Sequence, residues 1–365
     1  MMTTGKKFVL LLRCGMGIPL KDEMPVIDSE EEWQMIMQLA KEQTVQGILN
    51  RGIMSLPEEL QPPRKIRLRS YMRGSKISDL NKQANDAAIH VLSLLREAGF
   101  TCCLLKGQGN ALCYPEPSAR VPGDIDVWVN GPIMEVARFA RKTLPNAFAC
   151  YHHIEYVKVD GVEVELHYRP SFLNNFVHNH RLQRWFSDEA DRQCANRIDL
   201  SGGVGMVSIP TDAFNRIFQM AHMMNHIIHE GLGMRQLTDY YFLLMRGFTE
   251  EERRQDELLL RRFGLYNLTG AVMYVLKWLF ALPEEKMIVK PDKRIGTVLL
   301  KEVLNGGNFG RYDKNAQKVH SQLDRNLMRL KRDWRLLKVF PSECLSEPLF
   351  RLYHFFWRCW LNIYI

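Results

Sequence analysis

Two carboxylates stand one residue apart in Asp124-Ile125-Asp126-Val127-Trp128-Val129. The stretch reads as a β-strand. Side chains alternate along a strand, so Asp124 and Asp126 share one face while Ile125, Val127 and Val129 point the other way and can enter a core. Neighbouring carboxylates repel unless a cation lies between them, and a hard divalent ion such as Mg²⁺ prefers oxygen donors of this kind. Taken alone, the triplet also fits a solvated strand face, because so short a pattern recurs by chance. The next acidic stretch is Val162-Glu163-Val164-Glu165-Leu166-His167. Alternation sets Glu163, Glu165 and His167 opposite the apolar side chains, so this strand can bring a third carboxylate beside Asp124 and Asp126. Three carboxylates from neighbouring strands suit two Mg²⁺ ions that clamp a triphosphate and activate a hydroxyl for in-line attack.

A second chemical candidate is the run His222, His226, His229 and Glu230. His222 and His226 are four apart and share a helix face. The run lacks the H-E-x-x-H order that places a glutamate as general base, so core or polar-face histidines fit it better than a zinc site. Arg235 and Asp239 lie on the following helical stretch, where either can reach a cleft or close a helix-end ion pair.

These residues need elements to position them. Residues 1–98 read as mainly helical, with a capping box at Ser29-Glu30-Glu31-Glu32 and a long helix from about Ile66 to Ala98 stopped by Gly99. From about 100 to 200 the pattern changes to short strands. One strand spans Thr101 to Lys106, and a short helix follows near Gly109 to Leu112. The carboxylate strand comes next, then a helix from Ile133 to Leu144. Strands from Tyr151 to Val159 and Val162 to Tyr168 are joined by Asp160-Gly161, a strong hairpin signal. From about 207 the chain is helical again, with Asp212 suited to cap a helix. The aromatic-rich stretch Pro348 to Ile365 is expected to dock into the protein core rather than on a membrane surface.

The bulk properties are those of a globular chain. Its 365 residues are 46% hydrophobic and 25% charged, and the formal net charge of +8 is not gathered in one tail, so the surplus fits a basic surface as well as a polyanionic or nucleotide partner. Eight cysteines form no C-x-x-C pair, which argues for reduced thiols in a cytoplasmic protein and against a disulfide framework or zinc knuckle. The apolar run Phe8 to Leu12 is broken by Arg13, too short for a signal peptide core, and no stretch approaches the ~20 apolar residues of a membrane span. Stable membrane insertion is therefore not expected.

Four motifs in order carry a family resemblance. They are Leu104-Leu105-Lys106-Gly107, Tyr114-Pro115, Arg120-x-x-Gly123-Asp124-Ile125-Asp126 and Glu165-Leu166-His167-Tyr168-Arg169-Pro170. Together with residues 231–240, they resemble the uncharacterised nucleotidyltransferase family of bacteria, within the DNA polymerase beta-like nucleotidyltransferase superfamily. The resemblance implies an α+β fold with a small mixed-sheet nucleotidyltransferase core at 99–205. N-terminal and C-terminal helical subdomains at 1–98 and 206–365 would flank it. It implies Asp124, Asp126 and Glu165 as catalytic residues and ligands of two Mg²⁺ ions, with Glu163 as the fallback for the third carboxylate. It also implies Lys106, Gly107, Gln108, Arg120 and Gly123 around the phosphates of an NTP substrate such as ATP. The acceptor would be a sugar, peptide, protein or RNA end. The turn here reads Gly107-Gln108, with no Ser after the Gly, which keeps a non-catalytic nucleotide-binding or partner-binding protein on the same fold as the alternative.

Overall fold

The computed structural model describes residues 2–20, 23–200, 205–310 and 322–365. Thr101–Leu105 (β1), Ile125–Asn130 (β2), His153–Val159 (β3) and Val162–His167 (β4) form a four-stranded mixed sheet in the order β1-β2-β4-β3. β2 and β4 run parallel, and the other two pairs are antiparallel. The fold is α+β, with helices on both sides of this small sheet. The parallel connection uses the helix Ile133–Thr143, which starts after Pro132 and buries Val136, Ala137 and Ala140.

Alternation along the strands divides the sheet into two faces. Ile125, Val127, Val129, Val164 and Leu166 join an apolar cluster with Ala87, Val91 and Leu95 of the long helix Arg64–Glu97. That helix ends as its glycine requires. Gly99 adopts φ +86°, and the N–H groups of Gly99 and Phe100 donate to the carbonyls of Arg96 and Leu95. On the other face Cys103, Leu105 and Trp128 belong to a cluster that also holds Leu11, Ile36 and Leu49 from the first helices and Phe218, Tyr240 and Leu276 from the later ones. Helices from both ends of the chain thus share one core behind the sheet.

Several expectations change. The stretch between the hairpin and residue 200 contains a twenty-residue helix, Phe176–Ala195, whose N-terminus is capped by the Asn175 side chain. Arg197–Asp199 (β5) and Met206–Ser208 (β6) form a separate two-stranded sheet. Thr211, not Asp212, accepts the capping bond of the helix Asp212–His229. Ser29 accepts from the Glu32 N–H, but the Glu32 carboxylate turns to Lys7 and Thr4, so the box is half closed. The C-terminal helix Pro341–Tyr364 docks on the core by one face only. It is held by Glu343, Cys344, Glu347, Phe350 and Leu361, while Leu345, Leu349, Leu352, Phe356 and Ile363 are exposed. Those exposed residues repeat at three- and four-residue spacing and so share the opposite face. Among the described residues no helix is long and apolar enough to cross a membrane.

One close contact positions the loop that leads into β2. The helix Gln46–Met54 meets that loop at Gly47, where a Cβ would lie 2.1 Å from the carbonyl oxygen of Ala119. Gly47→Ala is expected to force the two backbones apart and cost about 1–3 kcal/mol. Urea unfolding would read this as a lower midpoint, and an unchanged midpoint would contradict so close an approach.

Candidate active site

The pairing register builds the acidic cluster. Asp126 lies directly across from Glu165 in the parallel β2–β4 pair, so both project to the same face. Asp124 stands just ahead of β2, exposed at the mouth of a cavity of about 760 Å³ that all three residues line. One carboxylate oxygen from each of Asp124, Asp126 and Glu165 lies within 4.8 Å of the others. Glu163 also borders the cavity, but its carboxylate is exposed and pairs with Lys158 at 3.0 Å, outside the cluster.

Two cationic groups meet this charge. Lys106 Nζ lies 3.0 Å and His167 Nε2 2.8 Å from the same oxygen, Oδ1 of Asp126. Burial alone would raise the Asp126 carboxyl, but Lys106 and His167 overcome it and hold the group below the usual carboxylate range. His167 shows the reciprocal effect. Its burial favours the neutral ring, yet its hydrogen bonds to Asp126 and Glu165 push it up to about 9. Asp124 moves the other way, up to about 6, chiefly because Asp126 is already negative. Lys106 reaches the cluster from a strained backbone. It sits at φ 53°, ψ −138° between β1 and the helical turn at Gly107, a conformation that costs a non-glycine residue about 1–3 kcal/mol.

Imidazoles line the adjoining wall. A hairpin running without interruption from the Asp160-Gly161 turn would set Ile154 opposite His167. The register shifts between Tyr156 and Val159, so His153 pairs with His167 and Ile154 turns into the apolar cluster. His153 Nδ1 then lies 3.2 Å from Glu165 Oε2 and 3.1 Å from His152 Nε2. Strand alternation alone does not single out His152 and His153. Their signal was a pair of histidines across a hairpin from His167, and the bulge hid it. Across the cavity, His222 Nε2 lies 3.4 Å from Lys106 Nζ and 2.8 Å from His226 Nε2. Burial, with Lys106 beside it, holds His222 well below its ordinary value. His229 leaves the group: it contacts Asn174 at 3.2 Å and packs on Phe172.

The remaining predicted residues divide. Arg120 is buried in the cavity wall, where its Nε and Nη2 each donate to the Asp239 carboxylate at 2.8 Å. Tyr114 donates to the same carboxylate at 2.6 Å. Arg120 Nη1 is buried without a hydrogen-bond partner among the described residues. Arg235 faces the cavity beside Gly123, where a Cβ would lie 3.2 Å from Arg235 Nη1. Gly107 lines the cavity too. Gln108 does not: its amide donates to Asn85 at 2.5 Å and faces a second, smaller cavity.

A family model described as an uncharacterised nucleotidyltransferase matches residues 29–281, more than half the chain. The chain belongs to that nucleotidyltransferase family. The matched span includes the three carboxylates, Lys106, Arg120, the histidine-lined wall and the Arg235–Asp239 helix, and it ends before the C-terminal helices. No curated protein matches the chain. Membership in this nucleotidyltransferase family makes the chain an enzyme of nucleotidyl transfer in general terms.

Asp239 is the keystone of the Arg120 wall, and Asp239→Asn would strand a buried guanidinium without its counter-charge. The expected cost is about 3–5 kcal/mol. Chemical denaturation would measure it, and a loss within ±0.5 kcal/mol of wild type, the range of a neutral surface change, would contradict the pairing.

Proposed function

We propose that this nucleotidyltransferase moves a nucleoside monophosphate from an NTP to an acceptor hydroxyl or phosphate and releases pyrophosphate. The observation that carries the reading is the convergence of Asp124, Asp126 and Glu165 at the mouth of one cavity. Their all-oxygen donor set fits Mg²⁺, and Asp124, Asp126 and Glu165 would hold the ions. Such ions, when bound, neutralise phosphate charge and acidify the acceptor hydroxyl.

The chain's own residues set the stage for that transfer. Lys106 and His167 keep Asp126 ionised. Lys106, Arg235 and the Nη1 of Arg120, which has no hydrogen-bond partner among the described residues, supply positive charge toward the triphosphate. Gly107 and Gly123 leave room for the phosphates to approach the backbone. The acceptor oxygen forms a bond to the α-phosphorus as the bond to the pyrophosphate oxygen breaks. The acceptor proton leaves to a carboxylate of the cluster or to water. A sugar, peptide, protein or RNA end all present a suitable acceptor oxygen.

The second reading is a nucleotide-binding protein without turnover, and Gln108 motivates it. The residue that follows the phosphate-side glycine turns away from the cavity and binds Asn85 instead. NTP binding without pyrophosphate release across varied acceptors would favour that reading.

Pyrophosphate release from each of the four NTPs, with Mg²⁺ and a panel of acceptors, tests the proposal. Asp126→Asn is expected to lower the rate by about 10²–10³-fold or more, the scale set by losing a charge-stabilising group from an active site. Unchanged release by a folded Asp126→Asn protein would sink the assignment.

A further inference from the structure

The wall beside the carboxylates holds donors of a different chemistry. His153 Nδ1 lies 3.2 Å and His167 Nε2 3.3 Å from one oxygen, Oε2 of Glu165. One donor atom from each of the three residues falls within 4.8 Å of those of the other two. A tetrahedral zinc-type ion with ligands about 2.0 Å away sets those ligands about 3.3 Å apart. The two short edges therefore already match such an ion. The donors stand on two strands whose register is set by the bulge, so the backbone holds them together. His167 is almost fully buried, and its Nδ1 has no hydrogen-bond partner among the described residues, so the ring is oriented by its Nε2 side alone. His152 Nε2, 3.1 Å from His153 Nδ1, is the next donor in line.

Donor type decides which ion fits. Mg²⁺ seeks oxygen ligands and keeps water, whereas two imidazoles with one carboxylate suit Zn²⁺ and its borderline neighbours. Three protein donors leave at least one position open to a ligand from the cavity, the pattern of a reactive centre rather than a closed structural site.

We propose that His153, Glu165 and His167 form a binding site for a borderline divalent ion such as Zn²⁺. The site shares Glu165 with the oxygen-only cluster but differs from it in ligands and in ion. The site stands on these three side chains and does not depend on nucleotide transfer.

Cobalt(II) titrated into chelator-treated full-length protein, without nucleotide, tests this. The expected result is one bound Co²⁺ per chain with the intense visible bands of four- or five-coordinate cobalt, displaced by Zn²⁺ and not by excess Mg²⁺. His153→Gln should weaken binding by more than the ~10–100-fold that loss of an outer-shell partner costs, while Asp124→Asn keeps it. Unchanged affinity in His153→Gln overturns the proposal. So do weak six-coordinate bands that vanish in Asp124→Asn, which would put the ion on the carboxylates. Proton NMR of the cobalt-loaded wild type gives a reading that needs no variant. Two hyperfine-shifted imidazole N–H signals support the site, and fewer than two overturn it. Because no NTP is present, failure of nucleotidyl transfer leaves this test untouched.

Discussion

Asp124, Asp126 and Glu165 bring three carboxylates within 4.8 Å of one another. At an effective dielectric of about 20, two such charges about 4 Å apart repel by roughly 4 kcal/mol. Much of the surrounding structure answers that repulsion. Lys106 and His167 converge on one oxygen of Asp126, and His153 and His167 converge on one oxygen of Glu165. Lys106 adopts a glycine-like backbone conformation at that point. Asp124, left nearest to solvent, absorbs the remaining repulsion as a raised carboxyl. Lys106 and His167 thus offset part of the repulsion at Asp126.

The scaffold makes that arrangement rigid. Parallel pairing of β2 with β4 sets Asp126 across from Glu165, and the bulge in β3 brings His153 opposite His167. The loop ahead of β2 is braced by Gly47 against Ala119 and by Arg120 against Asp239. Asp239 lies on the helix Met234–Met245, so the sheet and the later helices are locked together at the cavity wall. Helices from the start of the chain close the same core from the other direction. The cavity is therefore a joint product of the sheet and both helical portions, with the charged residues at their junction.

What could be read in the sequence was what local pattern encodes. Alternation assigned the faces of β2 and β4, and Asp160-Gly161 marked the hairpin that carries Glu165. Gly99 marked the end of the long helix. What escaped depends on contacts between distant segments. A one-residue bulge has no composition signal, so His153 was passed over. The resemblance put Glu165 ahead of Glu163, but both share one strand face, and only the parallel register sets Glu165 across from Asp126. The pairing of Arg120 Nε and Nη2 with Asp239, more than a hundred residues away, has no local sequence signal. Gln108 follows Gly107, which lines the cavity, yet the helical turn that starts there aims its side chain at Asn85. The aromatic stretch Pro348 to Ile365 was expected to dock into the core, and it does so by Phe350 and Leu361, while Leu352, Phe356 and Ile363 on the opposite face stay exposed.

The account turns on the carboxylate cluster being a cation-dependent nucleotide site. Calorimetric titration of non-hydrolysable ATP, GTP, CTP and UTP analogues, with and without Mg²⁺, asks this directly in wild type and in the Asp124→Asn/Asp126→Asn double variant. The account predicts binding that needs Mg²⁺ and disappears in the double variant. Binding that is indifferent to Mg²⁺ and to loss of both aspartates would contradict it.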